Sequence, residues 1–97
     1  LETHVAWTKF FGADALIVSG RMTGDAPDLE KVREAKALAG DRPLLIGSGA
    51  DAANVAAYLG IADGIIVGTS VKHGGECANP VDAARVRELV RAADSVR

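Results

Sequence analysis

Short runs of consecutive apolar residues recur along the chain, separated by amphipathic stretches and by turns rich in glycine. Three such runs lie in residues 14–19, 43–47 and 63–68. Consecutive apolar residues without inside–outside alternation, many of them β-branched, are typical of strands buried on both faces, as the strands of parallel sheets are. The pattern therefore predicts three parallel β-strands, each ending in a turn of small residues.

Stretches with apolar residues at helical spacing alternate with these runs. The predicted helices span residues 2–11, 28–39, 51–59 and 80–94. Asp28, Asp51 and Asn79 each lie at the start of one of them and are expected to act as N-caps. The last helix is expected to bury Val81 and Val90. The resulting order is α-βα-βα-βα, so the chain is predicted to be an α/β protein built from repeated βα units.

Length and composition narrow the class of protein. The chain has 97 residues, enough for one domain, and carries a formal net charge of −2 without blocks of like charge. A nucleic-acid partner is therefore not expected, because such partners select for basic surfaces. No apolar run long enough for a membrane helix and no signal-like leader occurs, which favours a cytoplasmic location. The first residue is Leu rather than Met, so the natural chain is expected to begin earlier.

The turns after the second and third strands carry the strongest candidate site. They comprise Gly47, Ser48 and Gly49 after the second strand and Gly68, Thr69 and Ser70 after the third. A phosphate group needs several backbone N–H donors around one point, and glycine permits the close approach. Either turn alone is explained as well by an ordinary strand-to-helix connection. Together, on successive strands, they predict a site for a phosphate or a similar anion.

The loop after the first strand is predicted to lie at the same edge of the sheet. There, Ser19, Arg21 and Thr23 are candidates for holding a substrate, since Arg21 can pair with an anion and Thr23 with a hydroxyl. Lys72, after the third strand, can add positive charge to the same site. A solvated loop explains these residues equally well. Asp25 is the only carboxylate in the loop after the first strand, so it is the candidate for any proton transfer.

Other chemistry-bearing residues do not form a recognisable site. His73 and Cys77 are four residues apart on a loop containing two glycines, and two ligands alone do not make a metal site. Cys77 also lacks a neighbouring base that would activate it as a nucleophile. No metal or other cofactor is therefore expected. Asp14 and Asp63 precede their strands, on the face where barrels do no chemistry, and are expected to be structural.

Several segments, taken in order, resemble the BtpA family, which includes SgcQ-like proteins. The segments are ALIVSGRMTG (15–24), PLLIGSG (43–49), NV (54–55), ADGIIVGTSVK (62–72) and NPVD (79–82). The family is similar to ribulose-phosphate-binding (β/α)₈ barrels. The resemblance, which covers roughly residues 8–92, implies that the chain is a single partial domain, the last three βα units of a TIM barrel preceded by one helix.

The resemblance also implies a ligand and leaves the function open between two classes. Related barrels bind a phosphorylated ligand with the loops after strands seven and eight, which correspond to residues 47–49 and 68–70. In cyanobacteria the family is associated with photosystem I biogenesis at the thylakoid surface. The chain is thus expected to be either an enzyme acting on a sugar phosphate or nucleotide-like metabolite, or a non-catalytic assembly factor. Unpaired sheet edges further predict self-association or pairing with the remaining barrel half.

Overall fold

Helices and short strands alternate along residues 2–20 and 26–96, which are the residues that the computed structural model describes. In these ranges the helices are α1 (Glu2–Phe10), α2 (Leu29–Ala39), α3 (Val55–Leu59) and α4 (Ala83–Asp94). The strands are β1 (Leu16–Val18), β2 (Leu44–Ile46) and β3 (Gly64–Ile65). Two 3₁₀ turns, Thr69–Val71 and His73–Gly75, connect β3 to α4. The predicted order of elements is confirmed.

The strands form one parallel sheet in the order β1-β2-β3. Ile17 pairs with Leu45, and Ile46 pairs with Ile65. The ladder continues one residue past each strand, because Gly47 N donates to Val18 O at 2.8 Å and Ile66 N donates to Ile46 O at 2.8 Å. The carboxyl ends of all the strands consequently lie at one edge of the sheet.

Burial alternates along the strands and separates the two faces of the sheet. Side chains of Leu16, Val18, Leu44 and Ile46 are buried in a core that also holds residues of α1, α2 and α3. On the opposite face, Ile17 is 60% exposed and Ile66 is 50% exposed. The prediction that the strands are covered on both faces is therefore wrong within the described ranges. We call this exposed surface, formed by Ile17, Leu45 and Ile66, the open face.

Side chains on the open face lie across glycines of the neighbouring strand. A Cβ atom added at Gly47 would lie 2.6 Å from Cγ2 of Ile17, and one added at Gly64 would lie 2.9 Å from Cδ2 of Leu45. Cβ atoms essentially never approach other heavy atoms so closely. Gly47 is therefore favoured by packing against the stiff, β-branched Ile17, whereas Leu45 Cδ2 is the far end of a flexible side chain that can shift away from Gly64.

The third helix begins later than the sequence pattern predicts. It spans Val55–Leu59 rather than residues 51–59, and its N-cap is Asn54, so the prediction that Asp51 is the N-cap is wrong. Asp51 Oδ1 accepts hydrogen bonds from Ala53 N at 2.9 Å and Asn54 N at 3.0 Å, and Asn54 Oδ1 accepts one from Asp51 N at 2.8 Å. These reciprocal bonds satisfy the backbone in a turn, which delays the first helical residue.

The cap of the last helix also differs from the prediction. Asp82, not Asn79, is the N-cap, and its Oδ1 accepts a hydrogen bond from Ala84 N at 3.0 Å. Asn79 instead donates its side-chain N–H to His73 O at 2.8 Å. Val81 and Val90 are 55% and 49% exposed, so their predicted burial is wrong. By contrast, Asp28 caps α2 as predicted, because its side chain accepts from Glu30 N at 2.8 Å.

Asp63 stabilises the amino-terminal end of the sheet. Its Oδ2 accepts hydrogen bonds from Lys36 Nζ at 2.7 Å and from the backbone N–H of Leu44 at 2.8 Å. These two donors, Lys36 first, lower the pKa of the Asp63 carboxyl. The carboxylate thus connects α2, β2 and the start of β3, far from the turns at the other end of the strands.

Candidate functional site

A cleft of about 750 Å³ lies at the carboxyl ends of β2 and β3. The turns 47–49 and 68–70 form one side of it, and Arg85, Glu88 and Leu89 of α4 form another. All the turn residues singled out in the sequence therefore line one cleft: Gly47, Ser48, Gly49, Gly68, Thr69 and Ser70. The structure brings them together because β2 and β3 are adjacent and parallel.

Hydroxyl groups hold the loops around the cleft in place. Gly20 N donates to Ser48 Oγ at 3.3 Å, which connects the end of β1 to the turn after β2. Ser70 Oγ donates to Ala50 O at 2.8 Å, which connects the turn after β3 to the turn after β2. The Ser70 hydroxyl thus has a structural role, and its proton is already engaged.

Several backbone N–H groups around the cleft are not used by the fold. Among the hydrogen bonds of the described residues, none has the backbone N–H of Gly49, Gly68, Thr69 or Ser70 as its donor. Gly47 differs, because its N–H donates to Val18 O in the sheet. Residues with uncommitted N–H groups thus line the cleft on both turns, while Gly47 serves packing and strand pairing.

Charged side chains of both signs line the cleft. Within the described part of the chain they are Asp51, Arg85 and Glu88. The Arg85 guanidinium is held beside the turn after β3, because its NH1 donates to Ser70 O at 3.1 Å. Its Nε also lies 3.8 Å from Asp82 Oδ2. Sequence analysis missed Arg85 and Glu88, although a helix starting after Asp82 places residues 85, 88 and 89 on one face.

Comparison with known protein families matches this chain to one of them. The model of the BtpA family matches residues 3–95, nearly the whole chain. This chain belongs to the BtpA family. The resemblance found in the sequence is thereby confirmed.

Relatives of this BtpA-family chain occur in archaea and in a cyanobacterium. It is 48% identical over 81 residues to an uncharacterized protein of Archaeoglobus fulgidus, covering 84% of this chain and 31% of that one. It is 39% identical over 85 residues to the uncharacterized protein MJ1115 of Methanocaldococcus jannaschii, covering 88% and 32%. It is also 39% identical over 80 residues to photosystem I biogenesis protein BtpA of Synechocystis, covering 82% and 28%. The chain thus spans about a third of the length of these relatives.

A solved structure establishes the fold of this BtpA-family chain. It is similar to N-(5'-phosphoribosyl)anthranilate isomerase from Pyrococcus furiosus, with a TM-score of 0.52 and 18% identity. The similarity covers 99% of this chain and 58% of the isomerase. Because the isomerase is a TIM barrel, the chain has the fold of a partial (β/α)₈ barrel, as predicted.

Other residues singled out in the sequence lie away from the cleft. Ser19 lines a separate groove of about 230 Å³ beside β1. Lys72 donates to Cys77 O at 3.3 Å and is not among the residues lining the cleft. Arg21, Thr23 and Asp25 fall outside the residues that the structure describes.

A hydrogen bond of Tyr58 connects α3 to the residues just before α2. Its hydroxyl donates to Pro27 O at 2.5 Å, and its side chain is only 3% exposed. Burial, and then the neighbouring carboxylates Asp51 and Asp28, raise the pKa of this phenol. The bond fixes the point where the loop after β1 returns to the body of the protein.

Two features are absent from residues 2–20 and 26–96. No group of three or more His, Cys, Asp and Glu side chains there is arranged to hold a metal ion. In the same ranges, no helix has the length and apolarity that crossing a membrane requires.

Proposed function

We propose that the cleft binds the phosphate group of a small phosphorylated molecule, such as a sugar phosphate or a nucleotide-like metabolite. The observation that carries the proposal is the set of backbone N–H groups of Gly49, Gly68, Thr69 and Ser70, which no hydrogen bond among the described residues uses. The residues that carry these donors belong to two neighbouring turns and line one cleft. Backbone N–H groups gathered in this way are a recurring means of binding anions in proteins.

Glycine at two of these positions favours close contact with an anion. Gly49 has φ +76°, a left-handed conformation in which side chains are strained. At Gly68 an added Cβ atom would meet nothing within 4 Å, so packing does not demand glycine there. The backbone conformation at Gly68 (φ −137°, ψ −78°) lies outside the common α and β regions, so glycine relieves strain there and also leaves the backbone accessible. Hydrogen bonds to a charged group contribute about 1.5–3 kcal/mol each, so a few N–H donors suffice for measurable binding.

The proposal concerns binding rather than a particular reaction. The carboxylates that line the cleft are those of Asp51 and Glu88. The Asp51 carboxylate already accepts two backbone hydrogen bonds. Proton transfer by Asp25 stays a prediction, as does a cytoplasmic location of the protein.

Calorimetric titration with three compounds tests the proposal. Inorganic phosphate and ribose 5-phosphate are expected to bind, whereas ribose without phosphate is not. Ribose 5-phosphate should compete with inorganic phosphate, because both would use the same N–H donors. Absence of binding by both phosphate compounds at millimolar concentration would refute a phosphate site.

A second candidate function is a non-catalytic role in the biogenesis of photosystem I, at the thylakoid surface. It is favoured by the 39% identity to photosystem I biogenesis protein BtpA of Synechocystis, although the chain covers only 28% of that protein. A hybrid BtpA carrying this chain in place of its own matching segment tests this role. Restored photosystem I in a Synechocystis strain lacking BtpA would support the role, and a stable hybrid without that effect would oppose it.

The open face, and the edges of β1 and β3 that are unpaired within the described residues, indicate that this chain packs against further structure. We propose that further βα units cover the open face and pair with the edges of β1 and β3, on the same polypeptide or on a second copy. Ile17 and Ile66 are at least half exposed, and apolar surface of this kind favours association. On this view residues 1–97 are one partial domain rather than a complete barrel.

A further inference from the structure

Arg85 is the positively charged side chain that lines the cleft. Within the described part of the chain, the other charged residues around the cleft, Asp51 and Glu88, are acidic. A cleft whose remaining charged side chains are carboxylates opposes the approach of an anion. Among the described residues, Arg85 is therefore the side chain that can attract an anion into this cleft, while the backbone can supply short-range contacts.

The position of Arg85 suits this role. Its NH1 donates to Ser70 O at 3.1 Å, which fixes the guanidinium beside the turn that holds the free N–H groups of residues 68–70. The weaker contact of Nε with Asp82 Oδ2, at 3.8 Å, anchors the inner part of the side chain. A guanidinium carries five N–H donors, so donors remain for a ligand. The side chain is 41% exposed, which leaves it accessible from the cleft.

We propose that Arg85 contacts the phosphate group of the ligand directly and supplies the positive charge that attracts this group into the cleft. This inference rests on the proposed function and adds the side chain that interacts with the charge of the ligand. Glu88, one helical turn further along α4 in the same cleft, opposes that attraction. The two residues are therefore expected to change affinity in opposite directions when they are neutralised.

Calorimetric titration with inorganic phosphate tests the proposal in four variants. Arg85→Gln should weaken binding about tenfold or more, because a hydrogen bond to a charged group is lost. Arg85→Lys, which keeps the charge but loses the fork of donors, should weaken it by only about threefold. Glu88→Gln should strengthen it about twofold. The control Arg87→Gln removes the same charge from an exposed position of α4 outside the cleft, so it should leave affinity unchanged.

The ionic-strength dependence separates a direct contact from an indirect effect on the turn. Loss of a direct ion pair makes the affinity of Arg85→Gln less sensitive to salt than that of the parent protein. Weakened binding with an unchanged salt sensitivity would show that Arg85 acts only by holding the turn through its bond to Ser70, and this result would refute the direct contact. Equal affinities of Arg85→Gln and Arg87→Gln would also overturn the role of Arg85 while leaving the phosphate site standing. If the parent protein binds no phosphate, the proposed function itself fails.

Discussion

Replacing glycine by alanine at the ends of β2 and β3 separates sheet packing from ligand binding. At Gly47 the new Cβ atom would lie 2.6 Å from Cγ2 of Ile17. At Gly68 it would meet no atom within 4 Å, but the backbone conformation there (φ −137°, ψ −78°) lies outside the common α and β regions. The added methyl group is therefore expected to cause a steric clash at Gly47, whereas at Gly68 its cost comes from the backbone conformation alone.

The expected changes in stability and affinity follow from the surroundings of each glycine. Overpacking of this kind costs about 1–3 kcal/mol, which for a domain of this size lowers the melting temperature by roughly 5–20 °C. Gly68→Ala should cost about 1 kcal/mol through backbone strain and should leave the protein folded. Its affinity for inorganic phosphate should nevertheless fall about tenfold, because the methyl group restricts access to the N–H groups of residues 68 and 69.

Urea denaturation and calorimetry of both variants check these values. Combining Gly47→Ala with Ile17→Ala removes the clashing Cγ2 atom, so the double variant should regain part of the lost stability. Ile17 is 60% exposed, and its truncation alone should cost little. The reasoning is refuted if Gly47→Ala is as stable as the parent. It is equally refuted if Gly68→Ala unfolds the protein or binds phosphate normally.

Three further predictions concern stability and association. Tyr58→Phe should lower the free energy of unfolding by about 1–2 kcal/mol in urea, since the carbonyl of Pro27 loses its donor, and an unchanged value would show that the bond contributes nothing. Asp63 has a lowered pKa, so its stabilisation is present above the unfolded-state value of 3.8 and is lost as pH falls through the folded value. Asp63→Asn should accordingly lower the melting temperature near neutral pH and flatten its acid dependence, whereas an acid limb as steep as the parent's would count against the ion pair. Joint replacement of Ile17 and Ile66 by threonine should reduce self-association in light scattering, and oligomers that persist unchanged would exclude the open face as the contact.

Much of the fold was predictable because topology follows from the repeating pattern of apolar runs. The length of β3 could not be predicted from the sequence. A strand extends only over residues that pair with a neighbouring strand, and this pairing is set by the tertiary structure. The ladder from β2 ends at Ile66, whose N–H donates to Ile46 O, and the chain then enters a 3₁₀ turn at Thr69. Helix starts were mispredicted where side chains compete for backbone groups, as Asp51 and Asn54 do before α3.

The candidate site was predictable only where it lies on the turns. Small residues after successive strands pointed to the cleft, because parallel strands bring their carboxyl ends together. Arg85 was missed, because it is separated from Ser70 by 15 positions and lies on a helix whose cap had been placed too early. Gly47 and Gly68 differ because the side chain of Ile17 packs against Gly47, whereas none of the described side chains packs against Gly68. The residues next to each glycine in the sequence do not reveal this difference.

Titration of the ¹⁵N-labelled protein with inorganic phosphate, followed by the backbone amide NMR signals, tests the central claim most directly. We expect saturable shifts at Gly49, Gly68, Thr69 and Ser70, with little change at Gly47, whose N–H is engaged by Val18 O. Such a pattern would assign the phosphate to the cleft through its open N–H groups. Shifts absent from these amides, or spread only over surface lysines, would contradict the proposed phosphate site.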